Sequence, residues 1–212
     1  MSRHAIPGLV ALLLFPFLVM AGCDSEAAEV VATDKAYDRA IDSQNGAAAV
    51  EFLSKDSVAW LDGVLQTART SGRAQVKALP FHERYEVIRA RLLYKPAELR
   101  QANGRSYYTR LVDQGWVWST SEARRTKVAV ANSKTRATIT YKYRGDRETF
   151  RGYWVFEDGK WKEDLISDGG DTDQLARAQA ATERISEDEY LIRLLEEETE
   201  MEVPDSAWEA PK

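Results

Sequence analysis

Phe150-Arg151-Gly152-Tyr153-Trp154-Val155-Phe156-Glu157-Asp158-Gly159-Lys160-Trp161-Lys162-Glu163-Asp164-Leu165 reads as two β-strands joined by a tight turn. Aromatic and branched residues fill both arms, which suits a pleated, half-buried surface, and Glu-Asp-Gly supplies the turn. Along the first arm Phe150, Trp154 and Phe156 share one face, while Arg151, Tyr153 and Val155 share the other. The same period of two runs upstream, where Ala137, Ile139, Tyr141 and Tyr143 alternate with Arg136, Thr138, Thr140 and Lys142. Four strands are therefore expected, at Lys127 to Ala131, Arg136 to Tyr143, Thr149 to Phe156 and Lys160 to Ile166. Their connections are too short for a crossover, so neighbours must be antiparallel: a meander with one face covered and one polar.

Before the strands the apolar period is 3.6. Tyr37, Ala40 and Ile41 mark one short helix, and Ala49, Val50 and Leu53 a second. Asp56 can cap a third, whose Val58, Leu61, Leu65 and Ala68 share a side until Ser71-Gly72 ends it. Phe81, Tyr85, Ile88 and Leu92 form one stripe on a helix from Pro80 to Tyr94, which Lys95-Pro96 closes. A short helix from Ala97 to Gln101 and an Asn103-Gly104 turn follow, and Gln101 to Trp118 reads as irregular. After the strands, Asp171-Thr-Asp-Gln174 has the form of a capping box ahead of Leu175, Ala178, Thr182 and Ile185. Ser186-Glu-Asp-Glu189 starts a last helix with Tyr190, Leu191, Leu194 and Leu195 on one face.

Helices first, then an antiparallel sheet whose final hairpin sets Trp154 and Trp161 around a glycine turn, resembles the nuclear-transport-factor-2-like superfamily. The resemblance spans roughly Thr33 to Ser167 and implies an α+β cone, a curved sheet wrapped around the N-terminal helices. In isomerase- and cyclase-type enzymes of that superfamily an aspartate base and tyrosine or aspartate donors sit inside the cone. Tyr37, Tyr85, Tyr141 and Asp164 are the residue types such a pocket would use here. Strand alternation instead groups Asp164 with Lys162 and Ile166, as a half-exposed sheet carboxylate.

At the N-terminus Arg3 and His4 precede an apolar run from Ile6 to Met20, short for a spanning helix and suited to a secretory signal. Val19-Met20-Ala21-Gly22-Cys23 resembles the lipobox of bacterial lipoproteins, with Met20 where leucine is more usual. The resemblance implies cleavage between Gly22 and Cys23 and a lipid on Cys23, the chain's one cysteine. Asp24 is the residue that, in enterobacterial lipoproteins, keeps the protein at the inner membrane. An ordinary secretory signal cut near Ala21 or Gly22 is the alternative, and would leave a free thiol in an oxidising compartment.

Charge divides the chain. Residues 23–156 hold 22 Lys and Arg against 16 Asp and Glu, whereas 157–212 hold 6 against 18. A basic body with interleaved aromatics would suggest nucleic acid in a cytoplasmic protein, and an exported one points away from it. An acidic tail is expected to pair with the body. With two histidines, one in the signal, a zinc site or a Ser-His-Asp triad has little to draw on, and no Gly-x-Ser-x-Gly elbow occurs. His82 is read as a partly exposed helix residue. Asp168-Gly-Gly-Asp171-Thr-Asp173 lacks the spacing of a calcium loop and reads as a turn and helix cap. Arg144-Gly145-Asp146 reads as a hairpin turn, and the tryptophans chiefly as core.

The expectation is a lipoprotein signal peptide at 1–22, a tether at 23–33, an α+β domain at 34–167, an acidic helical extension at 168–201 and a disordered tail at 202–212. The function expected is that of a membrane-anchored protein facing the periplasm, binding a small ligand or an envelope protein. No catalytic residue, metal, cofactor or nucleic acid is assigned. An enzyme with a buried aspartate, or a scaffold acting through the acidic helix, is the alternative.

Overall fold

The computed structural model describes residues 22–145 and 149–211, with side chains from Ser25 onward. Val19 to Ala21 of the lipobox-like stretch, the side chains of Cys23 and Asp24, and Asp146 lie outside the described residues. Among the described residues no helix is long and apolar enough to cross a membrane.

The fold is α+β, with an open four-stranded antiparallel sheet in the order β1-β2-β3-β4. The strands are β1 (Arg124–Val130), β2 (Arg136–Lys142), β3 (Phe150–Glu157) and β4 (Lys160–Glu163). Register sets Ala137 opposite Trp154, Phe156 opposite Trp161, and Trp154 opposite Glu163. Opposed residues share a face. Ala137, Ile139, Tyr141, Trp154 and Trp161 are buried on the side the helices cover, and Glu163 is on that side with them.

Helix α1 (Gly22–Asp42) packs on β1, β2 and β4. The stretch expected as a tether is part of it, and Val30 is fully buried. Small polar composition suggests a linker, but Glu26, Ala27, Ala28 and Glu29 are also good helix formers, and Val30 gives them a buried face. A short helix α2 (Gly46–Ala49) follows, with Gly46 so close to the next layer that a Cβ there would collide with the Thr109 carbonyl. Helix α3 (Lys55–Thr70) is capped by Ser54, not Asp56: the Ser54 hydroxyl accepts from Ser57 N at 3.0 Å. Next come α4 (Arg73–Lys77), α5 (Phe81–Leu93), α6 (Pro96–Gln101) and α7 (Gly104–Asp113). In α7 the Asn103-Gly104 pair is a helix start, since Asn103 Oδ1 accepts from Ser106 N at 2.9 Å. Gln101 to Trp118 is thus largely ordered helix, with Tyr107, Tyr108, Leu111 and Val112 side by side in the core.

 Val112 closes that buried row at the C-terminal end of the helix.

The C-terminal third departs most from expectation. Helix α8 (Leu165–Glu183) leaves β4 directly, capped by Asp164, so Asp171 to Gln174 lie within the helix and form no capping box. Ala176 and Ala180 are its buried residues, and Leu175 is 53 % exposed. Helix α9 (Glu187–Thr199) starts at the Ser186 capping box and buries Leu191 and Leu195 completely. Both helices pack on α5, so the expected acidic extension at 168–201 is built into the fold. The segment expected to be disordered forms a 3-10 turn at Asp205–Trp208, with Trp208 buried. Charge pairing joins tail to body: Arg84 reaches Glu187 and Asp188 at 3.1 Å each, and Lys77 reaches Asp188 at 2.9 Å.

Candidate functional site

A cavity of about 750 Å³ lies between the covered face of the sheet and helices α1, α3, α5, α7 and α8. Helical spacing aims the side chains into it. Asp34, Tyr37 and Asp38 come from successive turns of α1, and His82, Tyr85, Glu86 and Arg89 from two turns of α5. The sheet adds Tyr141, Phe150 and Glu163, helix α8 adds Asp168 and Asp171, and the Trp116 to Thr120 loop closes one side.

One wall is a fully partnered polar cluster. The Arg125 guanidinium pairs with Asp34 through Nε and with Asp38 through Nη2. Tyr141 donates its hydroxyl to Asp34 Oδ1 at 2.5 Å, and Thr120 N donates to Asp38 Oδ1 at 2.7 Å. Burial pushes Asp34 up from the ordinary aspartate range, and the bonds from Tyr141 and Arg125 oppose it. Burial acts to lower Arg125, but the two aspartates outweigh it and raise the guanidinium above its ordinary value. Beside this cluster the Tyr37 and Tyr108 hydroxyls share a hydrogen bond. A second buried guanidinium, Arg89, pairs with Glu86 and with Glu198 at 2.8 Å, and donates to the Trp116 carbonyl at 3.0 Å. Burial pushes Glu198 up to about 8.

Another stretch of the wall differs. Among the described residues neither the Glu163 nor the Asp168 carboxyl has a hydrogen-bond or ion-pair partner. The main chain fixes Glu163: its carbonyl accepts from Ser54 N and Ser57 Oγ, both at 3.0 Å, which ties the end of β4 to the cap of α3. Glu163 keeps some accessible surface, but it lines the cavity and protein encloses it. Burial, followed by the charges of Asp168, Asp34, Asp164 and Asp38, raises its carboxyl well above the ordinary glutamate range. Asp168 sits in the first turn of α8, where the helix dipole favours a carboxylate. Burial and the neighbouring Asp171 nevertheless push it up to about 6, with His82 and Arg151 pulling the other way.

His82 borders this wall. Its Nδ1 lies 2.9 Å from Asp173 Oδ1, which also accepts from the His82 main-chain N at 2.8 Å. The ring stacks on Trp60 at 5.8 Å and lies against Gly169, where a Cβ would come within 2.7 Å of Cδ2 and Nε2. Asp171 turns to the sheet and accepts from Arg151 Nε at 2.8 Å and from the Tyr153 hydroxyl at 2.7 Å. Of the three aspartates of the calcium-like sequence, Asp171 and Asp173 thus serve two separate contacts, and Asp168 is left facing the cavity. Among the described residues no group of three or more His, Cys, Asp or Glu side chains is placed to hold a metal.

Tyr37, Tyr85 and Tyr141 line the cavity, and Asp164 does not. Asp164 is neither a pocket carboxyl nor a half-exposed strand residue, because β4 ends at Glu163. Buried at the start of α8, it accepts from Ser167 N at 3.3 Å and Ser167 Oγ at 2.6 Å. The inward carboxyl is its neighbour Glu163. Its sequence signal is the period of two: Glu163 follows Trp161 by two residues and therefore shares the apolar face, where an unpaired acid is out of place. Trp154 and Trp161 are core, while Trp60, Trp116 and Trp118 line the cavity, Trp118 with 73 % of its surface exposed. Gly22 and Cys23 have no described side chain.

No protein-family model, no curated protein and no solved structure matches the chain. The arrangement itself can bind a molecule of moderate size against aromatic walls, and can offer it protons or negative charge from Glu163 and Asp168.

Proposed function

We propose that this is a lipid-anchored envelope protein whose α+β domain binds a small ligand without transforming it. The observation that carries the reading is the cavity, whose size falls within the range of roughly 300–1,000 Å³ usual for ligand sites and whose walls combine aromatic rings with a few convergent polar groups. Helices covering one face of an antiparallel sheet support a cone of the nuclear-transport-factor-2-like kind. The anchor rests on the lipobox-like residues Val19 to Cys23, with a lipid on Cys23 after cleavage behind Gly22 and Asp24 favouring the inner membrane.

A fragment screen by NMR tests the binding reading. Ligands should shift signals of Trp60, Tyr85 and Trp116 together, and a screen whose hits all fall outside the cavity would overturn it. For the anchor, wild-type protein should take up labelled fatty acid, and Cys23→Ala should move to the soluble fraction. Unchanged membrane association of that variant would contradict the anchor.

One observation favours an isomerase- or cyclase-type enzyme as a second reading: Asp168, held at about 6, is suited to proton transfer near neutral pH. In that case Asp168→Asn and Glu163→Gln would abolish turnover while the ligand still binds. The scaffold reading has less support, because Leu191 and Leu195 of the acidic helix are spent on the core.

A further inference from the structure

We propose that the ligand carries an organic cation, an amine or quaternary ammonium group that seats between Glu163 and Asp168 with aromatic rings around it. The inference rests on the small-ligand reading and gives it a chemistry.

Charge matching comes first. Seven carboxyl groups of described residues line the cavity. Five are paired with guanidinium groups: Asp34 and Asp38 with Arg125, Glu86 and Glu198 with Arg89, and Asp171 with Arg151. Glu163 and Asp168 remain, facing the cavity: among the described residues no cation bonds to either, since the nearby Arg151 pairs with Asp171 and His82 with Asp173. An unpaired buried carboxyl is costly, and a folded chain ordinarily removes it or pairs it. A ligand of opposite charge would supply the missing partner.

The walls then select the kind of cation. A hard metal ion asks for six or more oxygen ligands, and no such group is present among the described residues. Aromatic rings instead favour an alkylated ammonium, which is large, weakly hydrated and attracted to ring faces. Two of the lining rings already hold a cation from the chain itself, with the guanidinium of Arg89 5.2 Å from the Tyr85 ring and that of Arg125 5.6 Å from the Tyr141 ring. Trp60, Trp116 and Trp118 line the same space.

Proton release accompanies the binding. The groups that act most strongly on Glu163 or feel it are Asp34, Tyr37 and Asp38 on α1, Tyr108 on α7, Tyr141 on β2, and Asp164 and Asp168 around the start of α8, while Asp168 is acted on by Asp171 and Asp164 and, in the opposite sense, by His82 on α5 and Arg151 on β3. None of those named for Glu163 is a cation, so a bound ammonium favours the ionised form of Glu163 and its affinity should rise with pH. A quaternary probe has no proton of its own to confuse the reading.

Choline and its neutral isostere 3,3-dimethylbutan-1-ol, titrated into the full-length protein and followed by tryptophan fluorescence and NMR, make the test. Choline should bind at least about ten-fold more tightly, the margin expected for a desolvated cation–π and ion-pair site. Its advantage should grow from pH 5 to pH 8 and vanish in the Glu163→Gln, Asp168→Asn double variant, whose fold is checked by its unfolding curve. Equal or tighter binding of the alcohol, or a preference that survives the double variant, would overturn the cation while leaving a small-ligand pocket intact. Binding of neither probe would also overturn it, and the fragment screen then decides whether the pocket reading stands.

Discussion

Two acidic sites line the cavity, and they are built differently. Asp34 and Asp38 are almost fully buried, yet each is bonded to Arg125 and to a hydroxyl or main-chain donor. Among the described residues Glu163 and Asp168 have no such partners, and burial holds both carboxyls above their ordinary range. Completed pairing is what a fold needs to keep charge inside. A carboxyl left unpaired beside an open cavity costs stability, so its retention points to a role outside folding.

The comparison breaks most visibly at Arg125. Replacing it with methionine strands two buried carboxylates one helical turn apart, and should cost about 3–5 kcal/mol in urea unfolding. A loss below about 1 kcal/mol would mean that this cluster is not what neutralises the α1 aspartates.

Asp168→Asn should act in the other direction. A carboxyl whose folded value is raised stabilises the fold fully below the ordinary aspartate range, and that stability is lost as pH climbs to about 6. At pH 7 the asparagine variant should therefore be more stable than wild type by about 1–3 kcal/mol, and at pH 3 the two should converge. A variant that is less stable at pH 7 would show that Asp168 has a stabilising partner.

Gly169→Ala sharpens the boundary of the unpaired wall. Its Cβ would press on the His82 ring, which Trp60 and Asp173 hold in place. The crowding should outweigh the gain in helix propensity and cost about 1–2 kcal/mol, with a shift of the His82 ring signals. Unmoved signals would mean that the ring yields freely.

The sheet was legible because its signal is local: alternation and turn residues specify an antiparallel meander, and the four strands occur in that order. Helices α3 and α5 were legible from their apolar stripes. Where the reading failed, tertiary burial decided. Asn103-Gly104 has the composition of a turn and serves as a helix start, because Tyr107, Tyr108 and Leu111 find a core to enter. Leu175 has the character of a core residue, but the helix turns Ala176 and Ala180 inward and leaves Leu175 at the cavity. In the site, tyrosines 37, 85 and 141 were recognisable by type. Glu163 was missed in favour of the adjacent Asp164, although one step of strand alternation separates the inward carboxyl from the helix cap. The Asp34-Asp38-Arg125 cluster joins residues about ninety positions apart and left no local pattern.

The most direct test of the unpaired wall is a carbon-detected NMR titration of the Glu163 carboxyl, with and without choline. The account predicts a midpoint well above the ordinary glutamate range in the free protein and a lower midpoint when choline is bound. An ordinary midpoint that choline does not move would contradict it.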